Sequence, residues 1–114
     1  MSKRLVRLRR LAFERQDGRC FYCGAAMWLG SSIGPSRLRC TAENLVPRSE
    51  GGSETSDNIV AACVHCNRTR HKRKQPPPSH VYRDEVTRRV RRGAWHPAWV
   101  HRSGYLGPAL SPSA

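Results

Sequence analysis

The N-terminal segment alternates apolar residues with arginines at the spacing of a helix. Between positions 5 and 12, leucines and an alanine recur every three or four residues, and arginines fill most of the places between them. Apolar side chains with this spacing line one face of an α-helix. The pattern predicts an amphipathic basic helix over residues 3–16, ended by Asp17 and Gly18.

The middle of the chain carries short apolar runs that are typical of strands. Residues 27–29 and 38–46 are predicted to be extended and to be joined by the turn-rich segment 30–35. Residues 47–57 show no apolar periodicity and contain two adjacent glycines. A loop is therefore predicted there.

Prolines separate two predicted helices in the last third of the chain. The first is predicted to end at residue 71, and the prolines at 76–78 stop it and space it from the next.

The second of these helices has its own apolar stripe. Tyr82, Val86 and Val90 recur every four residues, which predicts a helix over residues 80–92. Ser79 is placed to act as its N-cap.

Composition and cysteine spacing together predict a metal. Only 38% of the 114 residues are hydrophobic, and small domains with so little core usually recruit a disulfide or a metal. Two CxxC pairs, Cys20/Cys23 and Cys63/Cys66, supply four thiolates for a tetrahedral structural zinc. Two disulfides or a redox CxxC would suit a reducing compartment poorly. The remaining Cys40 is expected to be a small buried apolar residue.

Positive charge is concentrated at the two ends of the chain. The formal net charge is +13, of which residues 1–19 contribute +5, residues 20–66 contribute −1 and residues 67–114 contribute +9. Lys and Arg clusters of this kind favour a polyanionic partner, most simply nucleic acid. A merely solubilising charge, or a ribosomal or membrane-surface role, is the alternative.

The sequence predicts neither a membrane span nor a secretory signal. No apolar run approaches the roughly eighteen residues that a span needs, and the basic N-terminus lacks an apolar h-region. Its Arg-rich amphipathic character also fits a mitochondrial presequence, but it runs directly into the first cysteine pair. A cytoplasmic location with reduced thiols is expected.

Between the two cysteine pairs lies a characteristic order of motifs. The run CFYCG, followed by CTAENLVPRSEGGSETSDNIVAACVHCNRTRH, resembles the zinc-knuckle branch of the HNH endonucleases, whose catalytic unit has the ββα-metal fold. The resemblance covers residues 14–72. It implies a small α+β domain with a four-cysteine zinc site, flanked by basic N- and C-terminal helices, that hydrolyses or nicks DNA with one divalent ion, Mg²⁺ or Mn²⁺.

The resemblance also implies the domain organisation. Residues 1–114 are expected to form one HNH nuclease-like domain with its motif core at 14–72. The basic C-terminal helix is expected over 79–92, and the tail 93–114 is expected to be partly irregular, with a disordered-looking end at 108–114.

Site residues follow from the same resemblance. Glu43 matches a metal ligand, and Asn67 and His71, four residues apart on one helix face, match further ligands of the catalytic divalent metal. Asn58 matches the residue that orients the base and steadies the loop.

Position 44 departs from the family pattern, because Asn44 stands where the family has its general-base histidine. An amide cannot accept a proton at neutral pH. The loss of a general base typically costs on the order of 10²–10⁴-fold in rate. A natural loss of the histidine and its deliberate replacement to inactivate the enzyme would give the same sequence. We favour deliberate replacement because the rest of the motif remains.

The basic flanks are expected to contact phosphates. Such contacts position a protein on nucleic acid without specifying a sequence. DNA, duplex or structured, is therefore the expected partner, with weak sequence preference. The candidate nucleic-acid-binding residues are Arg68, Arg70, Lys72, Arg73, Lys74, Arg4, Arg7, Arg9, Arg10, Arg88, Arg89, Arg91 and Arg92. Trp95 and Trp99 are expected to pack the tail or, alternatively, to stack on an unpaired base.

Two other functions fit the same sequence. One is a non-catalytic, zinc-dependent nucleic-acid-binding module that has lost hydrolysis. The other is a zinc-knuckle protein whose partner is ribosomal RNA or another protein.

Overall fold

The chain folds as a small α+β protein with a β-β-α unit at its centre. A computed structural model describes residues 1–31 and 33–107. The regular elements are α1 (Lys3–Arg15), β1 (Cys40–Asn44), β2 (Ile59–Cys63), α2 (Val64–His71), α3 (Ser79–Arg91) and α4 (Ala98–Arg102). Single turns of 3₁₀ helix lie at Ser36–Leu38 and Arg48–Glu50.

The two strands form an antiparallel ribbon whose register places cysteines opposite one another. Cys40 pairs with Cys63 at one end, and Asn44 pairs with Ile59 at the other. All five residues of β2 are buried, because α1 packs against the ribbon and α2 follows directly. The ribbon therefore links the second cysteine pair at one end to Asn44 at the other.

The outer edge of β2 is covered by side chain and loop. Gln16 pairs with Ala61 as a strand would, donating to its carbonyl at 2.9 Å and accepting from its N–H at 2.9 Å. The backbone N–H of Phe21 also donates to the Ala61 carbonyl, at 2.9 Å. An edge protected in this way cannot pair with another chain.

The long periodic elements were predicted well, as were the end of α2 at His71 and the strand Cys40–Asn44, which lies within the predicted residues 38–46. α1 and α3 are confirmed to within a residue or so, and the stripe of α3 is fully buried. Residues 27–29 form only an isolated bridge, between Trp28 and Arg39, because no continuous partner strand lies beside them. The expectation for Ser79 was wrong, since Pro78 is the N-cap and no side chain caps α3.

The described part of the tail contains one short helix. α4 forms after Pro97, and its Val100 is fully buried against the core. The predicted disordered end at residues 108–114 lies outside the described residues.

Candidate active site and zinc centre

The four cysteines of the two CxxC pairs form one buried cluster. Their Sγ atoms all lie within 4.8 Å of one another, and Cys23 Sγ is 3.9 Å from Cys63 Sγ. A tetrahedron of thiolates about 2.3 Å from a zinc ion has edges of about 3.8 Å. The cluster therefore fits a structural metal such as zinc, and it is the only such group of three or more ligands in the part of the chain that the structure describes.

N–H groups surround these sulfurs. The backbone of Cys63 donates to Cys20 Sγ at 3.3 Å, and that of Cys66 donates to Cys63 Sγ at 3.4 Å. The indole of Trp95 donates to Cys66 Sγ at 3.3 Å. Donors aimed at the sulfurs favour the thiolate form that binds metal.

Burial and the neighbouring thiols shift the pKa of three of these cysteines. Burial raises the pKa of Cys23 and of Cys66. Burial also acts to raise the pKa of Cys20, but hydrogen bonds from the other three thiols outweigh it and hold that pKa well below its usual range. A thiolate first formed at Cys20 is thus stabilised by its neighbours.

Cys40 stays outside the cluster although it pairs with Cys63. It is fully buried, and burial raises its pKa to about 12. Cys40 is therefore a neutral, apolar thiol, as predicted.

Glu43 is the most buried acid of the described chain. It sits on β1 with 2% of its surface exposed. Its Oε2 accepts from the Tyr22 hydroxyl at 2.9 Å and from Arg70 Nη1 at 3.1 Å. Its Oε1 lies 2.9 Å from His71 Nε2. Burial, followed by the charge of Glu43, raises the pKa of Tyr22, so the phenol keeps the proton that it donates.

Arg70 was expected on a nucleic-acid-facing surface, and that expectation is corrected. The side chain is 1% exposed. Besides Glu43, its guanidinium donates to the carbonyls of Asn44, Leu45 and Pro77 at 3.0–3.1 Å. All three nitrogens are committed inside the protein, so none is left for a phosphate.

Asn44 ends β1 beside this network. Its carbonyl accepts from Arg70, which fixes the backbone at this position. Its Nδ2 is buried and, within the described residues, has no hydrogen-bond partner. The side chain can therefore be replaced without the loss of an existing bond.

Asn58 holds the loop that follows β1. Its Oδ1 accepts from Val46 N at 2.9 Å, and its Nδ2 donates to the carbonyls of Val46 and Ser53 at 3.1 and 2.9 Å. A Cβ at position 52 would lie 1.7 Å from the Val46 oxygen, so Gly52 allows this close approach. These contacts fix the backbone two residues beyond Asn44.

Asn67 lies on the same helix as His71 but bonds elsewhere on β1. Its Nδ2 donates to Thr41 Oγ1 at 2.9 Å and to the Ala42 carbonyl at 3.4 Å. The structure thus brings Glu43 and His71 into contact and places Asn67 against the strand that carries Glu43.

Glu43 and His71 form a directly contacting pair. Glu43 Oε1 and His71 Nε2 lie at hydrogen-bond distance, 2.9 Å apart. His71 has 34% of its side chain exposed, which leaves an approach from solvent.

The remaining basic candidates lie at or near the surface. Arg9 is half-buried and the others are exposed. Three of them have intramolecular partners: Arg10 pairs with Glu14 at 3.2 Å, Arg73 pairs with Glu85 at 2.7 Å, and Arg89 lies over the Trp95 ring. The exposed candidates are Arg4, Arg7, Arg10, Arg68, Lys72, Arg73, Lys74, Arg88, Arg89, Arg91 and Arg92.

The two tryptophans differ in their surroundings. Trp95 is 6% exposed and packs over the zinc centre, as a tail-packing residue should. Trp99 is 38% exposed, with its ring edge toward Tyr105.

Sequence reasoning missed the roles of Tyr22 and Arg70. A signal for Arg70 existed, because it lies four residues after the zinc ligand Cys66 and therefore on the same inward face of α2. Tyr22, between two cysteines of a knuckle, carried no comparable signal.

The fold and the cysteine cluster define a small ββα protein with a buried site for a structural metal such as zinc. The family model for HNH endonucleases matches residues 20–73. Residues 20–73 therefore form an HNH endonuclease-type segment of the chain.

A search of curated proteins found no match. Across residues 1–31 and 33–107, no helix has the length and apolar character that crossing a bilayer requires.

Proposed function

We propose that this protein is a metal-dependent HNH-type DNA endonuclease whose cleavage is impaired because Asn44 replaces the general-base histidine. The contact that carries the proposal is the 2.9 Å approach of Glu43 Oε1 to His71 Nε2. These are two of the three predicted ligands for the divalent ion, Mg²⁺ or Mn²⁺. They meet at the end of the ribbon inside the matched segment.

The side chains at this site have distinct tasks. When bound, a divalent ion would supply charge stabilisation at the scissile phosphate and the leaving 3′-oxygen. Glu43 and His71 would hold it, with the Asn67 amide oxygen as the third predicted ligand. Asn58 braces the loop, and Asn44 can orient a water molecule but cannot take its proton.

A binding experiment tests the metal assignment. Glu43→Gln combined with His71→Ala is expected to weaken Mn²⁺ binding to the zinc-loaded protein by more than about 100-fold, beyond the loss typical of outer-shell changes. Gln is preferred to Ala at position 43 because its amide oxygen keeps an acceptor for the Arg70 N–H that now bonds to Glu43. Free Mn²⁺ is measured by electron paramagnetic resonance, and the number of zinc ions bound per chain is measured in the same samples.

A matched variant controls for nonspecific binding. Glu50→Gln with His80→Ala removes the same two groups from exposed positions and is expected to leave Mn²⁺ binding intact. Equal Mn²⁺ affinity in the parent and the Glu43/His71 variant would contradict the assignment. Zinc content should stay at one per chain in all three proteins.

Nucleic-acid binding is proposed to run along the exposed end of α2 and the turn beyond it. Arg68, Lys72 and Lys74 are exposed there. Replacing all three with alanine is expected to reduce the slope of log K against log salt for duplex DNA by about three, roughly one for each lost phosphate contact. Fluorescence anisotropy across a salt series measures this slope.

The comparison variant for this test lies on α1. Replacing Arg4, Arg7 and Arg10 removes the same charge from the other flank. A change of slope in that variant alone would move the interface away from α2. No binding of duplex, forked or single-stranded DNA at low salt would contradict the proposed function as a whole.

A non-catalytic nucleic-acid-binding module is the second candidate function. Two observations favour it: Asn44 cannot act as a base, and the charge of Glu43 is already balanced by buried Arg70 at 3.1 Å. The remaining alternative is that the protein binds ribosomal RNA or another protein. Competition of each of these ligands against duplex DNA distinguishes this alternative from DNA binding.

A further inference from the structure

We propose that Tyr22 is a positioning residue for Glu43, which connects the zinc knuckle to the divalent-metal site. Together with Arg70 it occupies Oε2 of the carboxylate, so that Oε1 alone is presented beside His71. This inference rests on the proposed function, because it concerns the metal site formed by Glu43 and His71.

Glu43 Oε2, the Tyr22 hydroxyl and Arg70 Nη1 form a closed triangle of hydrogen bonds. Tyr22 donates to Oε2 at 2.9 Å, and Arg70 Nη1 donates both to Oε2 at 3.1 Å and to the Tyr22 oxygen at 3.1 Å. A carboxylate held at one oxygen by two buried donors cannot rotate freely about its last bond. Oε1 is consequently fixed where it meets His71 Nε2.

The position of the Tyr22 hydroxyl is set by the zinc knuckle. Tyr22 lies between Cys20 and Cys23, is 2% exposed, and packs edge-on against Tyr82 at 4.8 Å between ring centroids. The neighbouring Phe21 bonds to β2 through its backbone. One residue therefore spans from the zinc ligands to the carboxylate, and the two metal sites are not independent.

Tyr82 offers a matched comparison for this role. It is also a buried tyrosine, and its hydroxyl donates to the Cys66 carbonyl at 2.6 Å. It makes no hydrogen bond to Glu43 among the described residues. Replacing either tyrosine with phenylalanine removes one buried hydroxyl and keeps the ring, so a general effect on packing should appear in both variants.

The test measures Mn²⁺ affinity in the zinc-loaded full chain. Tyr22→Phe is expected to weaken Mn²⁺ binding about tenfold, the lower end of the range for outer-shell partners of a metal ligand. Tyr82→Phe is expected to leave the Mn²⁺ affinity unchanged. Both variants are expected to keep zinc and to have melting temperatures similar to each other. Arg70→Lys keeps the charge but loses the planar fork, and it is expected to weaken Mn²⁺ binding as well.

The possible results distinguish the positioning role of Tyr22 from the proposed metal site at Glu43 and His71. If the Glu43/His71 double variant loses Mn²⁺ while Tyr22→Phe binds it like the parent, the positioning role is wrong and the metal site stands. Equal losses in Tyr22→Phe and Tyr82→Phe would also overturn the positioning role, since they would indicate packing alone. If the double variant keeps Mn²⁺, both inferences fail.

Discussion

Replacement of Cys63 by alanine is expected to abolish the cooperatively folded state. Zinc binding to four thiolates supplies about 10–16 kcal/mol at neutral pH, which matches or exceeds the about 5–15 kcal/mol of net stability of a typical domain. Cys63 also starts α2, where its Sγ accepts from the Cys66 N–H at 3.4 Å. Near-UV circular dichroism, thermal unfolding and zinc stoichiometry measure the loss.

Cys40→Ala is the matched control for that experiment. Cys40 lies directly opposite Cys63 in the ribbon and is equally buried, but it is outside the four-cysteine group found among the described residues. Its replacement is expected to cost only about 1 kcal/mol, as for other one-atom deletions in a core, with zinc retained. A sharp unfolding transition in Cys63→Ala, or an unchanged melting temperature after zinc chelation, would show that the fold does not depend on the metal.

Asn44→His is expected to raise plasmid nicking on the order of 10²–10⁴-fold, the usual contribution of a general base. A neutral imidazole accepts a proton near pH 6.5, whereas an amide does not. The backbone at position 44 is already fixed by Arg70, and the Asn44 amide nitrogen gives up no hydrogen bond when it is replaced. The first-order rate of conversion of supercoiled to nicked DNA in Mn²⁺ measures the gain.

The pH profile of the histidine variant has a defined direction. Because a general base acts in its deprotonated form, the rate is expected to rise through about pH 6.5 and then level off. Asn44→Gln keeps the amide and is expected to show no gain. Absence of cleavage by the histidine variant, with duplex binding preserved, would favour the binding module.

Apolar repeats that extend over several helical turns, and the spacing of the cysteines, explain which parts of the fold were predictable from the sequence. α1 and α3 have apolar faces that repeat over several turns, and the cysteine pairs impose a ligand geometry that few folds satisfy. Residues 27–29 and α4 carry no such repeat. Their conformations depend on what the rest of the chain places beside them, which a local pattern does not contain.

The site was only partly predictable, for a related reason. The contact between Glu43 and His71 depends on the pairing of β1 with β2 and on where α2 begins. Only the family resemblance predicted that these two residues would lie together. The run of basic residues around Arg70 predicts a phosphate contact for its side chain. Its burial follows from its place on the inward face of α2, where it balances a buried carboxylate.

We propose that Glu43 and His71 form the metal site of a phosphodiesterase that lacks only its base. The most direct measurement is the nicking rate of Asn44→His, with and without Mn²⁺, beside the same variant carrying Glu43→Gln. We predict Mn²⁺-dependent nicking by Asn44→His and its loss when Glu43 is also replaced. Nicking that is equally fast without a divalent ion, or equally fast with Glu43→Gln, would contradict the claim.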